Sequence, residues 1–521
     1  MTQIPHETPV LIGAAQFTER LDGDDYRALS PVDITAEAAR RALTEAGMER
    51  RLDRVDIIMT TRTFEDSTPV LAFPFGRSNN FPRSVAQRLG IKPTHAVWAT
   101  SGGDTPQKLV VEACEAIVTG HAQAVLIAGG EALSTGKHLV KQGVEVDWSE
   151  EIEAQVDDRG AAIDFLTADE LNNGLITPPL FHGIIENARR GAAGFSREHW
   201  AQQMSELFAP FSAVAATNPL AAISHKAFDA VELRTPGPGN RLVADPYTQR
   251  LIARDQVNQS AAVIVVSSAM ADDLGVPQAQ RVYLHGHAAA GEPPVTLRPD
   301  LGKAPSAGLA LAAALETAET TIDAINLMDF YSCFPVAVTN AIEALGLTAN
   351  DPRGLTVTGG LPYFGGPGNS YSLHALVEIV SRLRGGDGQS AIASVKRGLV
   401  AANGGFLSKY AVGIYSNTPR AFVHADNAAL QQQLARSTPP AVVSSAQGSG
   451  HIESYTIDWH RSGQPKKVVV VGRLQASGER FIAHSAAEDG VTLQSAVDVD
   501  PMGRTVTVKP AAAGNEFQFA E

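Results

Sequence analysis

Cysteine is scarce: the 521 residues hold two, Cys114 and Cys333. Two thiols exclude a disulfide framework and a thiolate metal cluster, so no metal is expected. Positive charge is short as well, with Lys+Arg 42 against Asp+Glu 56 and a formal net charge of -14. That balance argues against a nucleic-acid or membrane partner, because both are met with basic surface. Long hydrophobic runs are missing. The longest aliphatic strings, such as Ala261 to Val266, are strand-sized, and no segment reaches membrane-spanning length. The opening MTQIPHETPV is polar and lacks the apolar stretch of a signal peptide, so a cytoplasmic location is the default expectation. What is present, 44% hydrophobic and 19% charged residues, suffices for a large core divided among more than one domain.

The segment His95 to Glu131 concentrates the chemical signal. A strand runs into the tight turn Ser101-Gly102-Gly103, a helix follows, and the aliphatic strand Ala124 to Ala128 closes on Gly129-Gly130-Glu131. A side chain in such a turn sits at a helix N-terminus, where free N–H groups and the dipole stabilise an anion. The continuous apolar strand implies a buried parallel sheet.

Cys114 falls in the apolar helix Leu109 to Ile117 and reads as a packing residue. Cys333 lies in Tyr331-Ser332-Cys333-Phe334, after a second apolar strand and before the helix Val336 to Leu345.

The two turns belong to an apparent duplication. The first half runs from strand Val10 to Gly13 through helix Ile34 to Gly47 to the acidic-apolar strand Leu52 to Ile58. The second runs from strand Arg281 to His285 through helix Leu309 to Glu319 to strand Ile322 to Met328, with Gly365 to Leu383 and strand Ser390 to Leu399 after it. Ala132 to Tyr247 separates the halves as a mostly helical stretch broken by Pro178-Pro179 and Pro236-Gly237-Pro238-Gly239.

These turns and their order resemble the thiolase superfamily. The resemblance implies an α/β protein with a duplicated thiolase fold, layered α/β/α/β/α. It assigns residues 1–131 with 248–275 to the first half, 132–247 to a helical loop domain that covers coenzyme A, and 276–436 to the second half. Read without the resemblance, the middle stretch is a set of packed helices holding no ligand.

The family uses an attacking cysteine, an Asn or His ahead of a Phe, a histidine in Gly-His-Pro, and a second cysteine before glycine. Together they supply a thiolate, its base, oxyanion donors and a proton donor. This chain departs at all four. Thr100 or Ser101 occupies the nucleophile turn, and a hydroxyl is a far poorer nucleophile without a bonded base. Tyr331 replaces the Asn or His, Gly366 the histidine of Gly-His-Pro, and Asn403 the second cysteine, ahead of Gly404 and Gly405. The stretch Asp255 to Ala262 resembles the entry into the last strand of the first half, with Gln259 and Ser260 in place of Asp and Gly. Losing a nucleophile or base costs on the order of six decades in turnover, so ordinary thiolysis is not expected.

What remains is an acyltransferase-family protein of lipid metabolism type with coenzyme A thioester as substrate or ligand. Its candidate catalytic residues are Thr100, Ser101, Tyr331, His374 and Asn403, and its ligand-contacting residues Ser260, Gly366, Gly404 and Gly405. A tyrosine in this position resembles the thiolase-fold aldolases of steroid side-chain degradation, in which a phenol of lowered pKa would take a proton from a β-hydroxyl. Equally, Tyr331 reads as a packed aromatic. His374 reads as a replacement base or a structural histidine, Asn403 as a thioester donor or a turn residue, and Lys409 as a surface or phosphate-contacting lysine. Acyl-CoA binding without turnover is the alternative function. The resemblance allows a homodimer without excluding a monomer.

Residues 445–521 differ in character, with five short alternating strands from Glu453 to Phe519. They suggest a small barrel of the oligonucleotide/oligosaccharide-binding type. The segment also resembles the additional C-terminal domain of type 1 thiolase-like proteins. Its mixed charges speak against nucleic acid, and by analogy it serves as a lid or acyl-chain guide.

Overall fold

Apolar strands set the architecture. In the computed structural model, which describes residues 4–68, 72–162, 164–385, 396–487 and 489–520, Ala124–Ala132 and Asn258–Ser267 are buried along their whole length. Strands buried on both faces need layers on both sides. The two lie antiparallel in a six-stranded mixed sheet ordered Pro9–Thr18, Asn258–Ser267, Ala124–Ala132, Ile57–Thr60, His95–Trp98 and Asp157–Asp158.

A second sheet repeats the first four positions as Tyr283–Gly291, Lys409–Ser416, Arg397–Gly404 and Leu327–Phe330. In each sheet the first three strands alternate in direction and the fourth runs parallel to the third. The expected duplication is therefore present. Leu11 and Val282 exchange backbone hydrogen bonds of 2.8 and 3.2 Å and join the sheets. The two acidic-apolar segments read as single strands each split into a 3-10 turn, Leu52–Arg54 or Ile322–Ala324, followed by a four-residue strand. Of the expected strand Ser390 to Leu399, residues 390–395 lie outside the described residues, and the strand observed is Arg397–Gly404.

Helices Thr105–Val118 and Tyr371–Leu383 form the middle layer. Val110, Cys114 and Leu376 on them share one core with Ile127 of the first sheet and Val400 of the second. Cys114 is fully buried there, as a packing residue would be. Pro31–Glu45, capped by Ser30, covers the outer face of the first sheet. Pro305–Thr317 and Pro335–Ala344 cover that of the second. This is the α/β/α/β/α order.

The segment between the halves supplies helices Leu133–Gln142, Pro178–Ala192 and Arg197–Thr217, and it also reaches out to both neighbours. Asp157–Asp158 pairs with the outer edge of His95–Trp98, and the hairpin Leu242–Ala244/Tyr247–Thr248 pairs with the C-terminal barrel.

That barrel closes through five strands, Gly448–Trp459, Pro465–Leu474, Arg480–His484, Asn515–Phe519 and Thr505–Pro510, the last pairing back to the first. Closure removes every sheet edge. The valine run Val468 to Val471 lacks the usual alternation because both faces are covered. Val468 and Val470 point into the barrel, while Val469 and Val471 join the core of the second half. No helix among the described residues is long and apolar enough to cross a membrane.

Candidate active site

The turn after His95–Trp98 is held from three sides. Ser101 Oγ donates to Ser67 Oγ at 2.7 Å, Gly102 N–H donates to Asn369 Oδ1 at 2.8 Å, and Thr105 Oγ1 donates to the Thr100 carbonyl at 3.0 Å. Gly103 is pressed against Tyr331 and the Asn403 carbonyl. Asp104, at the helix N-terminus, is 1% exposed, and its carboxylate oxygens accept no hydrogen bond, with Lys108 Nζ 2.6 Å away as an ion-pair partner. Any side chain on Gly404 would strike Asp104 Oδ1.

The second turn is anchored by the buried Asp329. Its carboxylate accepts from Thr356 Oγ1, from the Val357 and Thr358 N–H groups, and from Tyr371 Oη. Tyr331 follows, packed edge-on against Tyr371 with ring centroids 5.3 Å apart. The described residues offer its hydroxyl no hydrogen-bond partner. Burial first, then the neighbouring Cys333 and Asp104, push the phenol well above its ordinary value. This is opposite to the lowered value expected from the aldolase resemblance: burial holds the proton on Tyr331.

Asn403 ends strand Arg397–Gly404 and donates from Nδ2 to Cys333 Sγ at 3.7 Å, while its buried Oδ1 has no partner. His182, on helix Pro178–Ala192, stands on the other side, with Nε2 3.9 Å from the same sulfur. Its ring stacks on Phe334 at 3.9 Å, and Nδ1 lies 2.8 Å from the Pro178 carbonyl. Burial drives the Cys333 thiol up to about 12 and the His182 imidazole down to about 3, so both are neutral.

Tyr331, Asn403 and Gly404 are thus brought together with Gly103 and Asp104, whereas His374, Ser260 and Gly366 sit elsewhere. His374 is fully buried against Phe364, donates from Nδ1 to Gln16 Oε1 at 2.8 Å, and is lowered to about 3 by burial. Ser260 Oγ donates to the Ile34 carbonyl at 2.6 Å, tying sheet to helix. Gly366 faces the Arg254 carbonyl, 3.3 Å from where a Cβ would stand. Gly405 adopts φ 62 and lies beside the Phe165 ring. Gln259 donates to the Leu220 and Phe364 carbonyls.

A cavity of about 1180 Å³ opens beside this cluster, with Thr100, Lys108 and Lys409 at one end and Arg189, Asp300 and Lys303 along its wall. Lys409 Nζ donates to the Ala162 carbonyl at 2.9 Å and lies over the Phe165 ring. Arg298, fully buried, donates to the Phe406 carbonyl and to Ser408 Oγ, and its Nη1 has no partner.

The model for the thiolase-like protein type 1 additional C-terminal domain matches residues 429–512. The crystal structure of a monomeric SCP2-thiolase like protein type 1 from Mycobacterium smegmatis matches with a TM-score of 0.82 and 36% identity, covering 99% of this chain and 100% of that one. The chain belongs to the type 1 SCP2-thiolase-like proteins. Other similar structures are an Ltp2-ChsH2(DUF35) aldolase, 18% identical with TM-score 0.57 over 80% of this chain and 98% of that one, and the acetyl-CoA acetyltransferase from Syntrophomonas wolfei, 14% identical with TM-score 0.54 over 80% and 100%. At such identities the likeness is one of fold. No curated protein matches the chain.

Two residues of this type 1 protein escape a reading of the sequence. Asp104 directly follows the Ser101-Gly102-Gly103 turn, where a charge beside glycines is the available signal. His182 had none, because 151 residues separate it from Cys333.

Proposed function

We propose that this protein takes an acyl-CoA thioester into the cavity beside the nucleophile turn and makes or breaks a carbon–carbon bond without the usual cysteine in that turn. The observation that carries the reading is the Tyr331 hydroxyl, packed on Gly103 with no hydrogen-bond partner among the described residues. A phenol held protonated supplies a donor to the developing enolate oxygen of a thioester. Asp104, in contact range of Gly102 and Gly404 at the same turn, is the candidate acceptor for the proton that such chemistry displaces. Lys108, Lys303, Arg189 and Lys409 around the cavity suit the phosphates of the coenzyme.

The same reading takes the chain as a monomer. Asp157–Asp158 occupies the outer edge of His95–Trp98, so that edge is not open to a second copy.

Titration calorimetry with acetyl-CoA, a long-chain acyl-CoA and free CoA tests the binding, and cleavage of a β-hydroxyacyl-CoA tests the chemistry. Saturable binding with cleavage that is lost in Tyr331→Phe supports the reading. No heat with any of the three removes coenzyme A from it. Acyl-CoA binding without turnover is the second reading. The sealing of both Asp104 oxygens and of Asn403 Oδ1 from solvent favours it.

A further inference from the structure

Cys333 differs from the other thiol in what surrounds it. Cys114 sits in the middle of an apolar helix face. Cys333 has an imidazole nitrogen on one side and an amide N–H on the other, at 3.9 and 3.7 Å. The polarity of the imidazole follows from its other nitrogen. A carbonyl oxygen only accepts, so Nδ1, 2.8 Å from the Pro178 carbonyl, carries the hydrogen and Nε2 presents its lone pair to the sulfur. Stacking on Phe334 fixes the ring plane.

The surroundings also hold unused polar capacity. Asn403 Oδ1 is buried in a residue 1% exposed and has no partner, and buried acceptors of this kind are ordinarily satisfied. It adjoins the sulfur through its own amide, so the vacant acceptor belongs to the thiol's environment.

We propose that Cys333 is an acyl-accepting thiol, with His182 as its base and Asn403 as donor to its sulfur, reached from the large cavity past Phe406. The proposal rests on the reading that the ligand is an acyl thioester. Aromatic rings stand between the cavity and the sulfur. Phe406 packs edge-on against His182 at 5.9 Å and against Phe165 at 5.3 Å, and Phe165 lines the cavity. The turn carrying Phe406 holds Leu407 at φ 52. That left-handed conformation is unfavourable for a leucine and is kept only by its surroundings, so Phe406 stands on a locally strained turn.

The chemistry is thioester exchange. His182 Nε2 takes the Cys333 proton as the sulfur attacks the thioester carbonyl, the bond from that carbon to the coenzyme sulfur breaks, and the departing thiolate takes the proton from Nε2. One thioester replaces another, and no oxidant, reductant or further reactant enters. Burial keeps both groups neutral before the exchange.

The barrel holds the base in place. Helix Pro178–Ala192 is pinned to it through Arg190, which reaches the Asp500 carboxylate at 2.7 Å, through Ser454 Oγ donating to the Ile184 carbonyl at 2.5 Å, and through Asn187 donating to the Tyr455 carbonyl at 3.1 Å. Arg190 and Ser454 are positioning residues.

The test incubates the full chain with acetyl-CoA and locates acetyl groups by peptide mass spectrometry, with calorimetric binding measured in parallel. The expected result is one acetyl group on Cys333 and none on Cys114. It is absent in Cys333→Ser, unchanged in Cys114→Ser and slowed roughly a hundredfold in His182→Gln. Binding without an adduct overturns the proposal and leaves the acyl-CoA reading standing. Without binding, iodoacetamide labelling of the native chain decides: faster labelling of Cys333 than of Cys114, slowed in His182→Gln, supports the thiol centre while the coenzyme reading falls. Equal inertness overturns both.

Discussion

Gly103 and Tyr331 are in contact so close that a Cβ on residue 103 would stand 2.4 Å from the phenol oxygen. The turn after His95–Trp98 is closed down on a hydroxyl. Gly103→Ala therefore overpacks the site, at a cost of about 1–3 kcal/mol, read as a lower urea midpoint. Gly490→Ala is the comparison: a Cβ there meets nothing within 4 Å, and its midpoint is expected to hold or rise. Equal effects at the two positions would show that the contact is not rigid.

Tyr331→Phe separates structure from chemistry. Its hydroxyl has no hydrogen-bond partner among the described residues, so removal leaves no orphaned group behind. Stability should stay within about 0.5 kcal/mol of the parent, while any turnover that depends on a donor falls. A large drop in melting temperature would assign the hydroxyl a structural task instead.

The duplication, the five layers and the closed barrel were legible because each is written in local patterns: glycine turns, wholly apolar strands and short alternating ones. Asp157–Asp158 was not, since two acidic residues carry no strand signal and pair only because the edge of His95–Trp98 lies open to them. At the site, Tyr331 and Asn403 were legible as replacements in known turns, and Gly404 as a glycine that such a turn keeps. The direction of the Tyr331 shift was hidden because its largest cause is burial, a property of the whole fold, with Cys333 and Asp104 pushing the same way. His182 was hidden because the loop domain alone decides which of its side chains reaches the second half.

Arg480 ties the barrel to the second half. It is 1% exposed, donates to the carbonyls of Thr296 at 3.0 Å, Arg298 at 2.5 Å and Pro299 at 3.3 Å, and pairs with Glu453 at 2.8 Å. Arg480→Met keeps the volume and strands the carbonyls and the half-buried carboxylate, costing about 3–5 kcal/mol. Hydrogen exchange should quicken first in Arg480–His484 and in helix Pro178–Ala192. Loss confined to the barrel strands would show that the helix is held independently.

Glu186 sets a pH dependence that can be read without any ligand. It is fully buried, accepts from Trp200 Nε1 at 2.8 Å and from Tyr247 Oη at 2.9 Å, and lies one helical turn from His182. Burial raises its carboxyl from 4.5 to about 7, against the two donors that lower it. Between those values the folded chain holds a proton that the unfolded chain has lost, so stability falls as pH rises from about 4.5 to about 7 and then levels off. The full effect is on the order of 3 kcal/mol. Glu186→Gln keeps an acceptor for Trp200 and carries no charge, so its unfolding free energy, measured against urea at pH 5 and pH 8, should lose this component while the parent retains it. Parallel profiles for the two proteins would mean that Glu186 titrates normally and that water reaches the helix face carrying His182.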